Sequence, residues 1–369
     1  MKTLNAYILK NLLFTAMMAF AILTFGMFSG YFFKAMELLY RGISPLMMCK
    51  FLLYMVPEIL RFTLPLSLLT ATVLVFGHLS SDNEIVAMKA VGISIWQIIS
   101  PALIISFALS IICLLNALFI SPLLRQKSDS LQKEALVSSP VALLEPGIFT
   151  NFSNDNWAIR VGRIHGNRLE DIHILQRNND GDAFQDIYAK SGRMTVISGD
   201  EVELELNEMN LTSTKLKEKP LPSNVHYFAA SKVTIPLDLK KQNRSTRRLV
   251  RKSKYMDVRM LFARMAQEKS AGHDVTKYMV DLHTRLALAV SPFSFLLIGL
   301  PFAIRGKRSE LSVGLLMCVL LALGFYFFMM LGDLLEDIRF IHAEFILWIP
   351  NIIYQVVGIC LIRRMDRNQ

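Results

Sequence analysis

The chain has 369 residues, 53% of them hydrophobic and 19% charged, with 40 Lys and Arg against 30 Asp and Glu for a formal net charge of +10. A soluble domain carries about 25% charged residues, and a disordered chain holds far fewer apolar ones. Composition therefore excludes an ordinary soluble enzyme and an unstructured polymer alike. No nucleic acid partner is expected, because most of the basic excess flanks apolar segments, where such residues set topology and meet lipid phosphates. Cys49, Cys113, Cys318 and Cys360 lie in or beside apolar stretches without CxxC spacing, which supports neither a disulfide framework nor a zinc site. No metal or other cofactor is expected.

Charge-free windows mark the membrane spans, each needing about 20 mostly apolar residues. Nothing is charged between Lys10 and Lys34, which predicts a first span over about 11–33, too long for the h-region of a signal peptide. Ser44-Pro45 reads as an N-cap followed by proline at the first helical position, opening a second helix over about 46–80. From Ala90 to Leu124 there is again no charge. As one helix that run would measure roughly 52 Å against ~30 Å of hydrocarbon, so it must be divided. Gly92 marks the break, and the third span falls at about 99–121. Three further windows, about 284–304, 311–332 and 345–362, follow a long polar interval.

Loop charge orients the chain. With both termini cytoplasmic, Lys2, Lys10, Lys89, Arg305, Lys307, Arg308, Arg363, Arg364 and Arg367 lie inside, against Lys34, Arg41, Lys50, Arg61 and Arg339 outside. The four external basic residues around the first loop run against this rule. Either they snorkel to headgroups, with Glu37 and Glu58 as i,i+3 partners of Lys34 and Arg61, or they form a cationic collar for an anionic amphiphile.

The interval 125–285 changes periodicity. Glu201–Leu206 alternates strictly, setting Val202, Leu204 and Leu206 on one face of a strand. Lys232–Leu239 does the same, with Pro236 marking an edge strand. Asn178–Asp182 and Ser198-Gly199-Asp200 are turn chemistry between such runs. The predicted class is an α-helical membrane protein with six transmembrane helices in a three-plus-three arrangement and an inserted all-β, jelly-roll-like periplasmic domain. It divides at about 1–124, 125–254 and 255–369. The greasy face of the sheet is either an ordinary core or part of a lipid-holding groove. Eight basic residues between Lys240 and Lys254 read as a solvated linker or as a contact with lipid phosphates. A helix over 255–269 ends at Gly272, and Asp274 opens the one that becomes the fourth span.

No catalytic constellation stands up, so an enzyme is not expected. Gly306-Lys307-Arg308 lacks the earlier glycine and the Ser/Thr of a phosphate-binding loop, and neither HExxH nor GxSxG occurs. Ser81-Asp82-Asn83-Glu84 has capping-box spacing and predicts a short helix over about 82–91, stopped by Gly92. So short a helix needs burial to persist. With Ile85, Val86, Met88 and Val91 in it, it packs against its own spans or docks a partner. Gly26 and Gly30 form a GxxxG that admits close helix approach.

Several segments together resemble one family: Leu64-Pro65-Leu66 through Gly77, Ser81–Ile85 to Gly92-Ile93-Ser94, Pro292 to Pro301-Phe302-Ala303-Ile304-Arg305, and Trp348-Ile349-Pro350-Asn351. The pattern is similar to the permease subunits of the lipopolysaccharide export ABC transporter, LptF and LptG, over nearly the whole chain. Ser309-Glu310 departs from it, where a second small residue is usual.

The resemblance implies a non-catalytic permease that pairs with a homologous second permease and a cytoplasmic ATPase dimer, and that extracts lipopolysaccharide from the inner membrane. The short helix is then its coupling helix, with Glu84, Ile85 and Met88 toward the ATPase. Lys34, with Arg41, Lys50 and Arg61, forms the basic rim for lipid phosphates. The β domain joins, edge to edge, a bitopic periplasmic partner and a bridge protein, LptC- and LptA-like. Six acyl chains bared to water would cost on the order of 50 kcal/mol, so an apolar path must accompany the lipid. A permease for a lipoprotein or glycolipid, and a membrane-anchored lipid-binding scaffold without transport, remain the other readings.

Overall fold

A computed structural model describes residues 2–40, 43–138, 144, 146–152, 157–165, 168–177, 183–198, 201–215, 226–238, 256–305, 311–336 and 342–367. Arg41, the turns at 178–182 and 199–200, the basic run 240–254 and the 306–310 segment fall outside the described residues, as does the side chain of Lys34. The helices are α1 Lys2–Tyr40, α2 Pro45–Ser81, α3 Glu84–Ala90, α4 Ile95–Leu115, α5 Ser121–Ser138, α6 Val258–Ser270, α7 Thr276–Arg305, α8 Leu311–Leu334, α9 Ala343–Ile346 and α10 Ile349–Arg367. The strands are β1 Thr150–Phe152, β2 Trp157–His165, β3 Arg168–Arg177, β4 Ala183–Ser198, β5 Glu201–Lys215 and β6 His226–Asp238.

Six helical segments are long and apolar enough to cross a membrane: Lys2–Phe33, Pro45–Ser81, Ile95–Leu131, Thr276–Ile304, Gly314–Leu334 and Ala343–Arg367. The chain divides into two compact units. One comprises Met1–Tyr31, Met55–Gln126 and Ser253–Gln369, the other Phe32–Tyr54 and Lys127–Lys252. The helical run that starts after Gly92 does not stop near 121. It passes through a π-helical turn, Asn116–Ile120, directly into α5.

In the first unit α7 is central. Its Leu296, Leu297, Leu300 and Ala303 pack with Ile8 and Leu12 of α1, Leu68 and Phe76 of α2, Ile98 and Ala102 of α4 and Ile362 of α10. Its Phe295 meets Phe325 of α8 edge-on at 4.9 Å between centroids. Close approach is set by glycine. A Cβ on Gly358 of α10 would lie 2.5 Å from the Leu297 carbonyl oxygen. Along the same contact runs a polar ladder: Trp348 Nε1 donates to His283 Nδ1 at 3.0 Å, Asn351 Nδ2 to the Ala287 carbonyl at 3.0 Å, Ser294 Oγ to Asn351 Oδ1 at 2.6 Å, and Gln355 Nε2 to Ser294 Oγ at 3.0 Å. In a medium without water such groups must satisfy one another.

At the start of the second half, Asp257 caps α6 through the Val258 N–H, and Gly272 closes it at φ +73°. Asp274 Oδ1 accepts from Thr276 N and Thr276 Oγ1, which opens α7 as its sequence suggested. Arg285, 3% exposed, pairs with Asp281 at 2.8 Å and donates to the Met256 carbonyl at 2.8 Å.

The second unit carries one antiparallel sheet with strands in the order β1-β2-β3-β4-β5-β6. Leu204 and Leu206 are fully buried on the face that alternation assigned them, together with Ile159, Val161, Leu169, Ile172, Ile174, Ile187, Ala189 and Met194. β6, with Pro236, is the last strand of the order, as an edge assignment requires.

A straight row crosses this sheet. Gly162, Asp171, Lys190, Glu208 and Ser231 stand at positions where the pairing of β2 to β6 skips one step, although the register on both sides of the row is the same. Asp171 and Glu208 adopt φ +53° and +55°. Across the row inward positions are three apart rather than two: Val161 to Ile164, Leu169 to Ile172, Leu206 to Met209, Ala230 to Val233. A period-two strand interrupted by one extra residue would otherwise turn its apolar set outward. Because each strand from β2 to β6 carries the interruption at the same level, the apolar residues keep one face on both sides of the row.

Candidate functional site

The short helix α3 is the most unusual feature of the first unit. It has seven residues, too few to be stable alone. The expected capping box is absent: α2 runs on to Ser81, whose hydroxyl turns back to the His78 carbonyl at 2.9 Å, and the N-cap is Asn83 at φ 59° with no side-chain cap. The helix therefore covers Glu84–Ala90 rather than 82–91. The box forms one turn later, where Ser94 Oγ accepts from Gln97 N and Gln97 Oε1 accepts from Ser94 N, and it starts α4.

The end of α3 is a full Schellman motif. Ile93 N donates to the Met88 carbonyl at 3.1 Å and Gly92 N to the Lys89 carbonyl at 2.9 Å, with Gly92 at φ +86°. Its own molecule holds α3 on one side. Ile85 is 3% exposed inside the core of α1, α2, α4 and α7, and Met88 is half-buried against that core. Glu84 Oε1 accepts from Tyr7 Oη at 3.3 Å, and Ser80 Oγ donates to the Ile304 carbonyl at 2.8 Å. Outward stand Val86, Ala87, Ala90 and Val91, with Val91 82% exposed. Of the three residues expected on a docking face, Glu84 borders it, Met88 lies at its flank and Ile85 lies beneath it. Val86 and Val91, apolar positions that the sequence placed in the helix but that were not among those three residues, are exposed.

Of the basic residues named in the sequence, Arg61 belongs to the first unit and Lys50 to the second. Arg61, in the first unit, is drawn to Glu58 at 3.9 Å, with its guanidinium 5.8 Å from the Phe62 ring centroid and its Nε unpartnered among the described residues. Glu58 also accepts from Ser121 Oγ and Arg125 Nη1, each at 2.9 Å, and Asn116 Nδ2 from the π turn donates to the Pro57 carbonyl at 2.9 Å. Lys50, in the second unit, is exposed and lines a cavity of about 270 Å³ with Met47, Tyr54, Lys127, Ser130 and Leu131. Lys127 was not among the candidates, because its sequence position assigned it to the polar domain.

On the sheet, a cavity of about 640 Å³ at the row of interrupted pairing is lined by Asp171, Tyr188, Lys190, Glu208, Met209, Asn210 and Ala230. Tyr188 donates to Asp171 Oδ1 at 3.2 Å, and that hydrogen bond and carboxylate charge hold its phenol above the usual tyrosine value.

Six spans in two triplets, an inserted antiparallel sheet and a short half-exposed helix after the second span are now in place. Residues 6–364 match the family described as lipopolysaccharide export system permease LptF/LptG. The chain belongs to the LptF/LptG family. Over 154 residues it is 26% identical to the lipopolysaccharide export system permease protein LptF of Escherichia coli (strain K12), and equally to the protein of that name from Shigella flexneri. The aligned segment covers 42% of this chain and 42% of each relative. In this LptF/LptG-family chain nothing among the described residues comes within 4 Å of a Cβ built on Gly26 or Gly30. Phe14, Met17, Ile22 and Phe25 of the same helix are exposed, so α1 offers an apolar surface that only lipid or another protein can cover.

Proposed function

We propose that the chain is one permease subunit of an ABC exporter that lifts lipopolysaccharide out of the inner membrane, driven by a separate cytoplasmic ATPase dimer. Both termini and α3 are cytoplasmic in this reading, and the β domain is periplasmic. The observation that carries it is the two-sided character of α3: Ile85 anchors the helix from within, while Val86, Ala87, Ala90 and Val91 are bare. An apolar face on a seven-residue helix in water has a use only if another protein grips it. Glu84 borders this face and Met88 flanks it.

The homologous second permease covers the exposed face of α1 and completes a lipid cavity. Lipid phosphates meet Lys34, Arg41, Lys50 and Arg61 at the outer end of the spans, with Lys127 beside Lys50. The buried face of the sheet carries acyl chains onward to the bitopic partner and the bridge protein. Binding energy for such a lipid is mostly apolar, at ~0.8 kcal/mol per CH₂, and the basic groups select the phosphorylated headgroup.

The test is purification of the full chain from native membranes in mild detergent, followed by mass spectrometry of proteins and lipids, for the wild type and Val91→Asp. The wild type brings an ATPase and lipopolysaccharide. Val91→Asp loses the ATPase while the chain keeps its membrane insertion and melting behaviour. Retention of the ATPase by Val91→Asp refutes the docking face, and a different co-purified lipid moves the substrate to another amphiphile.

A further inference from the structure

The last turn of α10 touches both sides of the turn between α3 and α4. Lys89 Nζ, in the final turn of α3, donates to the Met365 carbonyl at 3.1 Å. Ile95 N, the first amide of α4, donates to Asp366 Oδ1 at 3.2 Å. Each contact joins groups that a helix leaves without internal partners. The Met365 carbonyl is among the last four of α10, at the negative end of its dipole, where an ammonium is favoured. The Ile95 amide is among the first four of α4, where a carboxylate is favoured. Between them lies the Schellman turn at Gly92, where the chain passes from α3 to α4 in a few residues.

Two consecutive residues of α10 thus hold the end of α3 and the start of α4. α3 cannot shift along its axis without loosening the Lys89 contact, and α4 cannot separate from α10 without breaking the Asp366 contact. α10 in turn is locked to α7 by the Trp348–His283, Asn351–Ala287 and Ser294–Asn351 hydrogen bonds and by the close packing of Gly358. A displacement of α3 therefore has a polar route into the second membrane half that bypasses the length of α4.

We propose that Lys89 and Asp366 are positioning residues that clasp α3 to α10 and relay its movement to the α7–α10 pair. This rests on the reading that a motor acts on α3, and two measurements keep the two ideas apart. The first needs no motor: amide exchange of segment 84–97 in the full chain, reconstituted in lipid nanodiscs, for wild type, Asp366→Asn and Asp366→Ala. Asparagine keeps an oxygen to accept the Ile95 N–H and alanine does not. Exchange in Asp366→Ala rises about tenfold, as loss of one charge-assisted hydrogen bond predicts, and Asp366→Asn stays near wild type. Equal exchange in all three overturns the clasp.

The second uses the complex purified with its ATPase, spin-labelled at Cys360, an exposed cysteine of α10, after Cys49→Ala removes the other exposed one. A non-hydrolysable ATP analogue changes the spectrum of the wild type and of Asp366→Asn. The change is lost in the Lys89→Met/Asp366→Ala double variant, although the ATPase stays bound. A nucleotide-dependent spectrum that survives in the double variant, or is missing from the wild type complex, overturns the relay. Failure of any ATPase to accompany the wild type refutes the docking reading instead, and the exchange result then stands by itself.

Discussion

Glu58 tests whether buried charge fastens the membrane helices. It is 12% exposed, and Arg125 Nη1 at 2.9 Å and Ser121 Oγ at 2.9 Å bond to it from the α4–α5 run. At a charge separation of about 4 Å and an effective dielectric of about 20, the Glu58–Arg125 attraction is about 4 kcal/mol, and desolvation offsets part of it. The net coupling expected from a double-mutant cycle of Glu58→Ala and Arg125→Ala is about 1.5–3 kcal/mol, the range of a charge-assisted hydrogen bond.

The single variants should be unequal. Glu58→Ala leaves Arg61 buried with the Phe62 ring as company and no carboxylate, which costs about 3–5 kcal/mol. Arg125→Ala leaves Glu58 still bonded to Ser121 and near Arg61, which costs about 1–3 kcal/mol. Adding Arg61→Met to Glu58→Ala should recover part of the loss, since the stranded guanidinium is then gone. The assay is unfolding of the full chain in mixed micelles by SDS titration, followed by circular dichroism. A coupling below about 0.5 kcal/mol, the level of an exposed pair, would refute the reasoning, as would Glu58→Ala proving no worse than Arg125→Ala.

Gly358→Val should destabilise the same full chain by about 1–3 kcal/mol in that titration, because a Cβ 2.5 Å from the Leu297 oxygen must push α7 and α10 apart. Gly92→Val, at φ +86°, should cost about 1–2 kcal/mol locally, visible as faster amide exchange over 84–95 with the global unfolding midpoint unchanged. Asp171→Asn should lower the pKa of Tyr188 toward the ordinary tyrosine value, because the amide removes the charge that opposes the phenolate; NMR titration of ¹³C-labelled tyrosine reads this. The sign for stability follows. With its folded pKa raised, Tyr188 contributes stability below the ordinary tyrosine pKa, and the contribution is lost as pH climbs through the raised value. An unmoved Tyr188 titration midpoint in Asp171→Asn would refute the part assigned to the Asp171 charge.

The membrane half of the fold was legible because its physics is local. A charge-free window of sufficient length has only one stable form in hydrocarbon, so the six spans could be read without tertiary information. The length of a helix beyond its span is another matter. The sequence places the third span at about 99–121, and the helix runs on past it: Asn116 turns its amide onto the Pro57 carbonyl and Ser121 its hydroxyl onto Glu58, so partners on α2 carry the helix through a π turn into α5. The Glu58–Arg61 pair at i,i+3 could be read from the sequence, whereas the bonds from Ser121 and Arg125 to the same carboxylate come from residues more than 60 positions away and could not.

The sheet and α3 show the opposite limit, where a correct local pattern was read too narrowly. Strict alternation in Glu201–Leu206 placed Leu204 and Leu206 inward, yet the next inward residue, Met209, comes after three positions, and Ala230 to Val233 repeats the step. Two interruptions of the same size in strands that prove to be neighbours are a sequence-level sign of a row crossing the sheet, visible only once the strands are paired. Around α3, Ser81-x-x-Glu84 and Ser94-x-x-Gln97 are equally good boxes on paper. Tertiary contact decides between them: Leu79 is buried and Ser80 bonds the Ile304 carbonyl, so α2 stays helical through Ser81 and cannot cap its successor. Burial of Ile85 then fixes the rotation of α3. With that side chain inward, helical geometry must turn Val86 and Ala90 outward together, four residues apart on one stripe. The face offered to a partner is therefore set by what the helix hides, and a variant that repacks Ile85 should alter docking without touching the docking surface.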